Sequence, residues 1–179
     1  MANKPFFIVV TGRPGSGKTT FAKKLGGRLF LPVISRDELK EGYVHTLGKR
    51  HAELPKETNK YVSELFFETI DRLLSANVSL IAEAAFQHRV WEPHLNRLKA
   101  KAGIVILICK PEDDRVSRER FVNRGLENPL REYFHGDRGV DLAASYEEPR
   151  LDVPTIHVDT TDAYRPSIDE LKARILKGC

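Results

Sequence analysis

The sequence predicts an α/β fold in which a parallel sheet carries helices on both faces. Two observations carry this. Apolar, β-rich runs alternate with segments of helical period along the whole chain. Several of the runs are continuously apolar, as strands covered on both faces must be, whereas a strand with one wet face alternates.

The elements follow in order. Phe6–Val10 is the first strand, and a glycine-rich stretch leads from it into a helix beginning near Lys18. Leu31–Ile34 is a short second strand. From Lys56 to Ser75, residues Val62, Phe66, Ile70, Leu73 and Leu74 recur every three or four positions, which is one helix face. Val78–Ala82 is the third strand. Trp91, Leu95, Leu98 and Ala102 mark the helix after it. Ile104–Ile108 is the fourth strand and Thr155–Val158 the last. Ser167 and Glu170 form a capping box ahead of Ile168, Leu171 and Ile175.

Composition sets the bounds. The 179 residues suit a single domain, 1–179, and 41% hydrophobic with 30% charged residues excludes the disordered class. No apolar run reaches the ~18 residues of a membrane span, and no secretory pattern opens the chain. The cysteines are Cys109 and Cys179, which argues against a disulfide framework and for a reducing, cytoplasmic setting. The net charge is +4 with a pI of about 9.1. The basic residues are spread from Lys4 to Lys177 among acids, so charge alone identifies no partner. None of the six histidines has the spacing of a metal site.

The chemistry starts at Gly12-Arg-Pro-Gly-Ser-Gly-Lys-Thr19, the G-x-x-x-x-G-K-[ST] pattern between a strand and a helix. Gly12, Gly15 and Gly17 let the N–H groups of Arg13, Gly15, Ser16 and their neighbours curl round an anion, with Pro14 in the loop and offering no donor. The helix N-terminus, through Thr19 and Thr20, adds positive potential. Lys18 supplies a full charge for the β and γ phosphates, and Thr19 offers a hydroxyl to Mg²⁺. The expected ligands are therefore ATP and Mg²⁺, held by Gly12 to Thr20.

Ser35-Arg-Asp-Glu38 follows the second strand. In a doubly wound sheet Asp37 ends beside the phosphate loop, where a carboxylate orients or deprotonates an acceptor hydroxyl. Ser35 and Glu38 also read as a capping box, which would hold Asp37 rigidly. Gly12–Thr19 followed by this Ser-Arg-Asp-Glu resembles the small P-loop kinases of the polynucleotide kinase, zeta toxin and chloramphenicol phosphotransferase type, and the 5′-hydroxyl polynucleotide kinase domain most of all. The resemblance implies a P-loop three-layer sandwich with a five-stranded parallel sheet in the order 2-3-1-4-5. It also implies that Asp37 is the general base. Those kinases place an arginine three residues later for the acceptor's phosphate; here the residue is Lys40, which keeps the charge and loses the fork.

Glu83 at the end of the third strand is a candidate for a Mg²⁺-bound water or the acceptor, with Gln87, His88 and Arg89 beyond it. Arg36, Lys40, Glu83 and Arg89 are thus the expected acceptor-binding set. The window Lys110 to Arg138 holds six arginines and has no net charge. In small kinases this stretch closes over ATP, so a lid is expected within 111–138, with Arg120 and Arg124 on one helix face neutralising the transferring group. Asn123-Arg-Gly125 resembles the polynucleotide kinase lid, and Gly125 and Pro129 are expected to end the helix. His157 reads as packing and Cys109 as a buried apolar residue.

The expectation is an ATP-dependent phosphotransferase acting on a hydroxyl, of a nucleic-acid end, a nucleoside-like molecule or another small compound. No membrane partner is expected, and the protein should be a monomer or small homo-oligomer. A GTPase switch needs Asn/Thr-Lys-x-Asp and Asp-x-x-Gly, and neither is present. A motor ATPase needs a longer chain.

Overall fold

In the computed structural model, residues 4–177 are described; Cys179 lies outside them. Five strands form one sheet in the order β2-β3-β1-β4-β5, with every pairing parallel. They are β1 (Phe6–Thr11), β2 (Val33–Ser35), β3 (Leu80–Glu83), β4 (Gly103–Lys110) and β5 (Thr155–Asp159). Their apolar runs are explained by where the side chains go. Phe7 and Val9 of β1 enter one core with Phe66, Trp91 and Leu95, while Ile8 and Val10 enter another with Phe21, Leu25 and Leu171. Alternate residues of a central strand thus serve opposite layers, and all must be apolar.

Helices α3 (Thr58–Ser75) and α4 (His88–Leu98) cover the first face; α1 (Lys18–Leu29) and α7 (Ile168–Lys177) cover the second. Gly26 allows α1 to lie close against β2, since a Cβ there would stand 3.0 Å from the Leu31 carbonyl oxygen. The capping box at α7 forms as its spacing indicates: Glu170 N–H donates to Ser167 Oγ at 3.3 Å and Ser167 N–H to Glu170 Oε2 at 2.7 Å.

The remaining elements gather at the carboxyl ends of the strands. Helix α2 (Arg36–Leu47) starts at once after β2, a 3-10 turn follows at His51–Glu53, and α5 (Asp114–Glu127) and α6 (Leu130–His135) come after β4. Residues 140–150 then run back toward β5. None of the described helices is long and apolar enough to cross a membrane.

Three expectations are corrected. Gly125 does not end a helix: α5 continues to Glu127 and stops at Asn128, because Pro129 withholds the next N–H. The box at α2 is half made. Ser35 Oγ accepts from Glu38 N–H at 3.5 Å, but the Glu38 carboxylate goes to Lys23 at 2.5 Å. His157 is not packing. It stands on the outer strand of the sheet, exposed, 2.8 Å from Glu148. Cys109 is buried as expected, and burial pushes its thiol far above the ordinary range.

Candidate active site

The loop from Gly12 to Gly17 joins β1 to α1 and has the backbone of an anion cradle. Gly12, Gly15 and Gly17 have φ of 149°, 78° and 80°, all left-handed. Two of them are confined as well. A Cβ on Gly12 would overlap the Cys109 carbonyl oxygen, and one on Gly15 the Ser117 carbonyl oxygen of α5. With Gly17 as N-cap, α1 begins at Lys18, so its free N–H groups face the loop. Ser16 Oγ is buried with no hydrogen-bond partner. An anion held by this loop would meet free donors and a polar atom that needs a partner, so the residues present fit a nucleotide polyphosphate.

Lys18 is 6% exposed, and its Nζ lies 3.9 Å from Glu83 Oε1. Glu83 is level with Ser35 of β2 and Val10 of β1 in the sheet register. Its second oxygen accepts from Ser35 Oγ at 2.8 Å. Burial raises the Glu83 carboxyl above its usual value; Lys18 and the hydroxyls of Ser35 and Thr19 oppose the rise. The Thr19 hydroxyl and Glu83 thus stand together beside the loop, as a Mg²⁺ ion with its waters would require.

Asp37 lies in the first turn of α2, on the wall of a cleft of about 250 Å³ that also reaches Pro14 and Lys18. Burial raises its carboxyl, but His135, Lys18 and Arg36 outweigh this and hold it below the ordinary carboxylate value. Asp37 is therefore charged at neutral pH, in one cleft with Pro14 and Lys18 of the phosphate loop. Arg36 lies 3.4 Å from Asp37 Oδ1 and donates to Asn59 Oδ1 at 3.0 Å. Lys40, one turn further along α2, lines the same cleft and is 2% exposed.

The arginine segment divides. Arg124 reaches the cleft, with its guanidinium 5.2 Å from the Phe121 ring. Arg120 does not line the cleft; it donates to the carbonyl oxygens of Thr160, at 2.8 Å, and Thr161, in the loop after β5. Arg89 is exposed on α4 and lines no part of the cleft, so it is not brought to the site with Arg36, Lys40 and Glu83. Arg13 turns its side chain, largely buried, to Asp114 of α5 and to the carbonyl oxygen of Ala144, leaving only its backbone for the loop. Thr20 is exposed in the first turn of α1.

Sequence reasoning missed several contributors. Arg131, His135 and Asp137 line the cleft, Arg131 pairing with Asp137 at 2.7 Å and His135 with Glu41 of α2 at 2.8 Å. It also missed the contact between segment 140–150 and the residue before the loop. The Tyr146 hydroxyl is 2.7 Å from Thr11 Oγ1 and donates to the Phe86 carbonyl at 3.1 Å; Thr11 Oγ1 also accepts from Trp91 Nε1 at 3.1 Å. No local pattern signals partners 135 residues apart. Tyr146→Phe should cost about 1 kcal/mol in urea denaturation, the net value of one such bond, because the ring stays and one carbonyl loses its donor.

A family model described as AAA domain matches residues 7–149 of this chain. The chain belongs to the AAA domain family. The matched span runs from the first strand through the phosphate loop, Asp37 and the arginine segment. A relative in Bacillus cytotoxicus, named shikimate kinase, is 27% identical over 178 residues, covering 95% of this chain and 96% of that protein. A second, from Methanocaldococcus jannaschii and provisionally named an adenylate kinase, is 30% identical over 120 residues, which is 67% of this chain and 59% of the relative's length. Among solved structures, a provisionally assigned kinase from Chloroflexus aurantiacus superposes with a TM-score of 0.80 at 23% identity, over 100% of both chains. A chain of the Pnkp1/Rnl/Hen1 RNA repair complex shares the fold with a TM-score of 0.56 at 14% identity, over 84% of this chain and 50% of that one. The relatives and neighbours named here thus include several kinases, on one fold.

Proposed function

We propose that this protein is an ATP- and Mg²⁺-dependent phosphotransferase that moves the γ-phosphate to a hydroxyl acceptor. One observation carries the reading: a carboxylate held charged, Asp37, shares a single cleft with the lysine of the phosphate loop. A nucleotide-binding switch has no use for a base facing its γ-phosphate position across an open cleft. The kinase names among the relatives support the same reaction class.

Each residue has a part. The loop amides and Lys18 bind and orient the polyphosphate. Thr19 and Glu83 would hold Mg²⁺, which when bound would supply charge neutralisation on the phosphate oxygens. Asp37 aims the acceptor hydroxyl and takes its proton. Arg124 lies in the cleft to offset charge on the transferring group. Arg120, tied to the loop after β5, holds α5 down over the loop; segment 111–138 acts as the lid.

The acceptor is a polynucleotide 5′-hydroxyl end or a nucleoside-like molecule, consistent with the likeness to the RNA repair chain. A cleft of about 250 Å³ favours, as a second reading, another small hydroxyl compound. The test is ATP consumption with and without a mixed pool of RNA and DNA ends, nucleosides, sugars and hydroxy acids. Acceptor-stimulated turnover is expected; turnover that ignores every acceptor would sink the kinase in favour of a simple NTPase.

A further inference from the structure

We propose that His135 is a positioning residue: bonded to Glu41, it fastens the lid helix α6 onto α2 and so completes the wall of cations that shares a cleft with Asp37. The inference rests on the kinase reading above for the role of Asp37, and it names the contact through which the lid acts on that residue.

The contact joins two separate pieces of chain. His135 is the last residue of α6, and its Nε2 stands 2.8 Å from Glu41 Oε1. The His135 side chain is 6% exposed. An imidazole so enclosed needs partners for its ring nitrogens, and Glu41 supplies one. Glu41 lies four residues after Asp37 on α2, so the two share a helix face. A ring bonded to Glu41 is thereby held over the turn that carries Asp37, and His135 and Asp37 do line the same cleft.

A second observation fixes the end of α6. Gly136 follows His135 with a φ of 67°, and a Cβ there would overlap the His51 ring in the 3-10 turn. Only glycine permits both the left-handed backbone and so close an approach. The lid helix is thus seated on the 3-10 turn as well as on α2. The seat decides the make-up of the cleft, because Arg131, His135 and Asp137 all reach its wall from α6 and the turn just beyond it. If α6 lifts, His135 and Arg131 leave Asp37 together.

The electrostatics agree. Around His135 stand Arg36, Asp37, Lys40 and Glu41 of α2, His51 of the 3-10 turn, Arg124 of α5, Arg131 and Glu132 of α6, then Asp137 and, from the phosphate loop, Lys18. Burial pushes the Asp37 carboxyl up, and His135 is the foremost of the charges that outweigh it, ahead of Lys18 and Arg36. His51 is held below the ordinary histidine range by burial, then by Lys40 and His135. His51 is therefore a neutral seat at neutral pH, and the ring that acts on Asp37 is His135. A neutral group in its place would leave the burial and remove that opposing charge, so the Asp37 carboxyl would titrate at higher pH.

The test needs no acceptor, so its failure and that of the kinase reading are told apart. In the full chain, hydrogen exchange is followed in the peptides covering α6, and the Asp37 carboxyl is titrated by carbon-13 NMR. His135→Leu fills the space without polar atoms, and Glu41→Ala removes the partner. Each should speed exchange in α6 by about tenfold, the loss of one hydrogen bond to a carboxylate. The double variant should exchange no faster than the faster single one, since both remove the same bond. His135→Gln places an amide nitrogen where Nε2 stood and carries no charge. Its α6 should exchange close to the native rate, while the Asp37 midpoint rises as it does in His135→Leu. A side chain that merely packed would be replaced by leucine with native exchange, and Asp37 would titrate unchanged. Native exchange in either His135→Leu or Glu41→Ala, or an Asp37 midpoint that His135→Gln leaves in place, overturns the proposal. Should His135→Leu fail to fold, Glu41→Ala, at a half-exposed position, and His135→Gln still decide it.

Discussion

Lys18→Ala is expected to abolish phosphoryl transfer and to weaken nucleotide binding. Lys18 is the cation next to the loop's free N–H groups, and it is almost wholly enclosed at 6% exposure. Its loss removes charge from the position where negative charge grows in the transition state, where deleting a single preorganised donor costs about 10²–10³ in rate. Single-turnover rates with labelled ATP and the Kd of a fluorescent ATP analogue measure both effects. Normal turnover in the variant would mean that the loop does not grip a triphosphate.

The same substitution has a signature in stability. Glu83 is 2% exposed and its pKa already lies above the usual value, because burial outweighs the opposing pull of Lys18. A carboxyl with a raised folded pKa contributes stability that is full below its unfolded pKa of about 4.3 and is lost as pH rises through the folded value. Removing Lys18 lifts the folded value further. The variant should therefore lose more stability than the native protein as pH rises above the ordinary carboxylate range, and recover as pH falls back toward it. Denaturation midpoints across that range measure it.

Asp37→Asn should cost about 10²–10⁴ in kcat while leaving ATP affinity largely intact. The amide keeps the shape but cannot take a proton. In the native protein Asp37 is held below the ordinary carboxylate value, burial being outweighed by His135, Lys18 and Arg36. The native rate should thus stay flat from neutral pH down to the usual carboxylate range and fall only below it. A variant that phosphorylates acceptors at the native rate would reduce Asp37 to a structural role at the start of α2.

These expectations draw unequally on the sequence and on the fold. The phosphate loop was legible because its chemistry is local. Gly12, Gly15, Gly17, Lys18 and Thr19 are fixed by consecutive positions, and the strand before them is marked by its own composition. The strands were legible to within two or three residues for the same reason. The position of Asp37 was legible because a parallel sheet brings the end of the second strand to the carboxyl edge, and Asp37 lies two residues past the end of β2.

Arg120 and Arg124 show where local reasoning stops. Four apart on one helix, they read as equivalent, yet one caps the carbonyls of Thr160 and Thr161 while the other enters the cleft. The difference comes from where α5 lies over Gly15, which no spacing within the helix records. Arg89 failed for the opposite reason. It follows the third strand as an acceptor residue should, but the first turn of α4 presents Trp91 to the core and Arg89 to solvent.

By itself the sequence determined the layered sheet and the phosphate cradle, since strand burial and loop curvature are set by neighbours a few positions apart. The tertiary structure alone decided which cations face Asp37. Lys40, Arg124, Arg131 and His135 come from three helices spread over 96 positions of chain, and their meeting in one cleft depends on how α5 and α6 fold back over α2. Charge within a cleft is a property of the groups that burial brings together, and separation along the chain does not encode it.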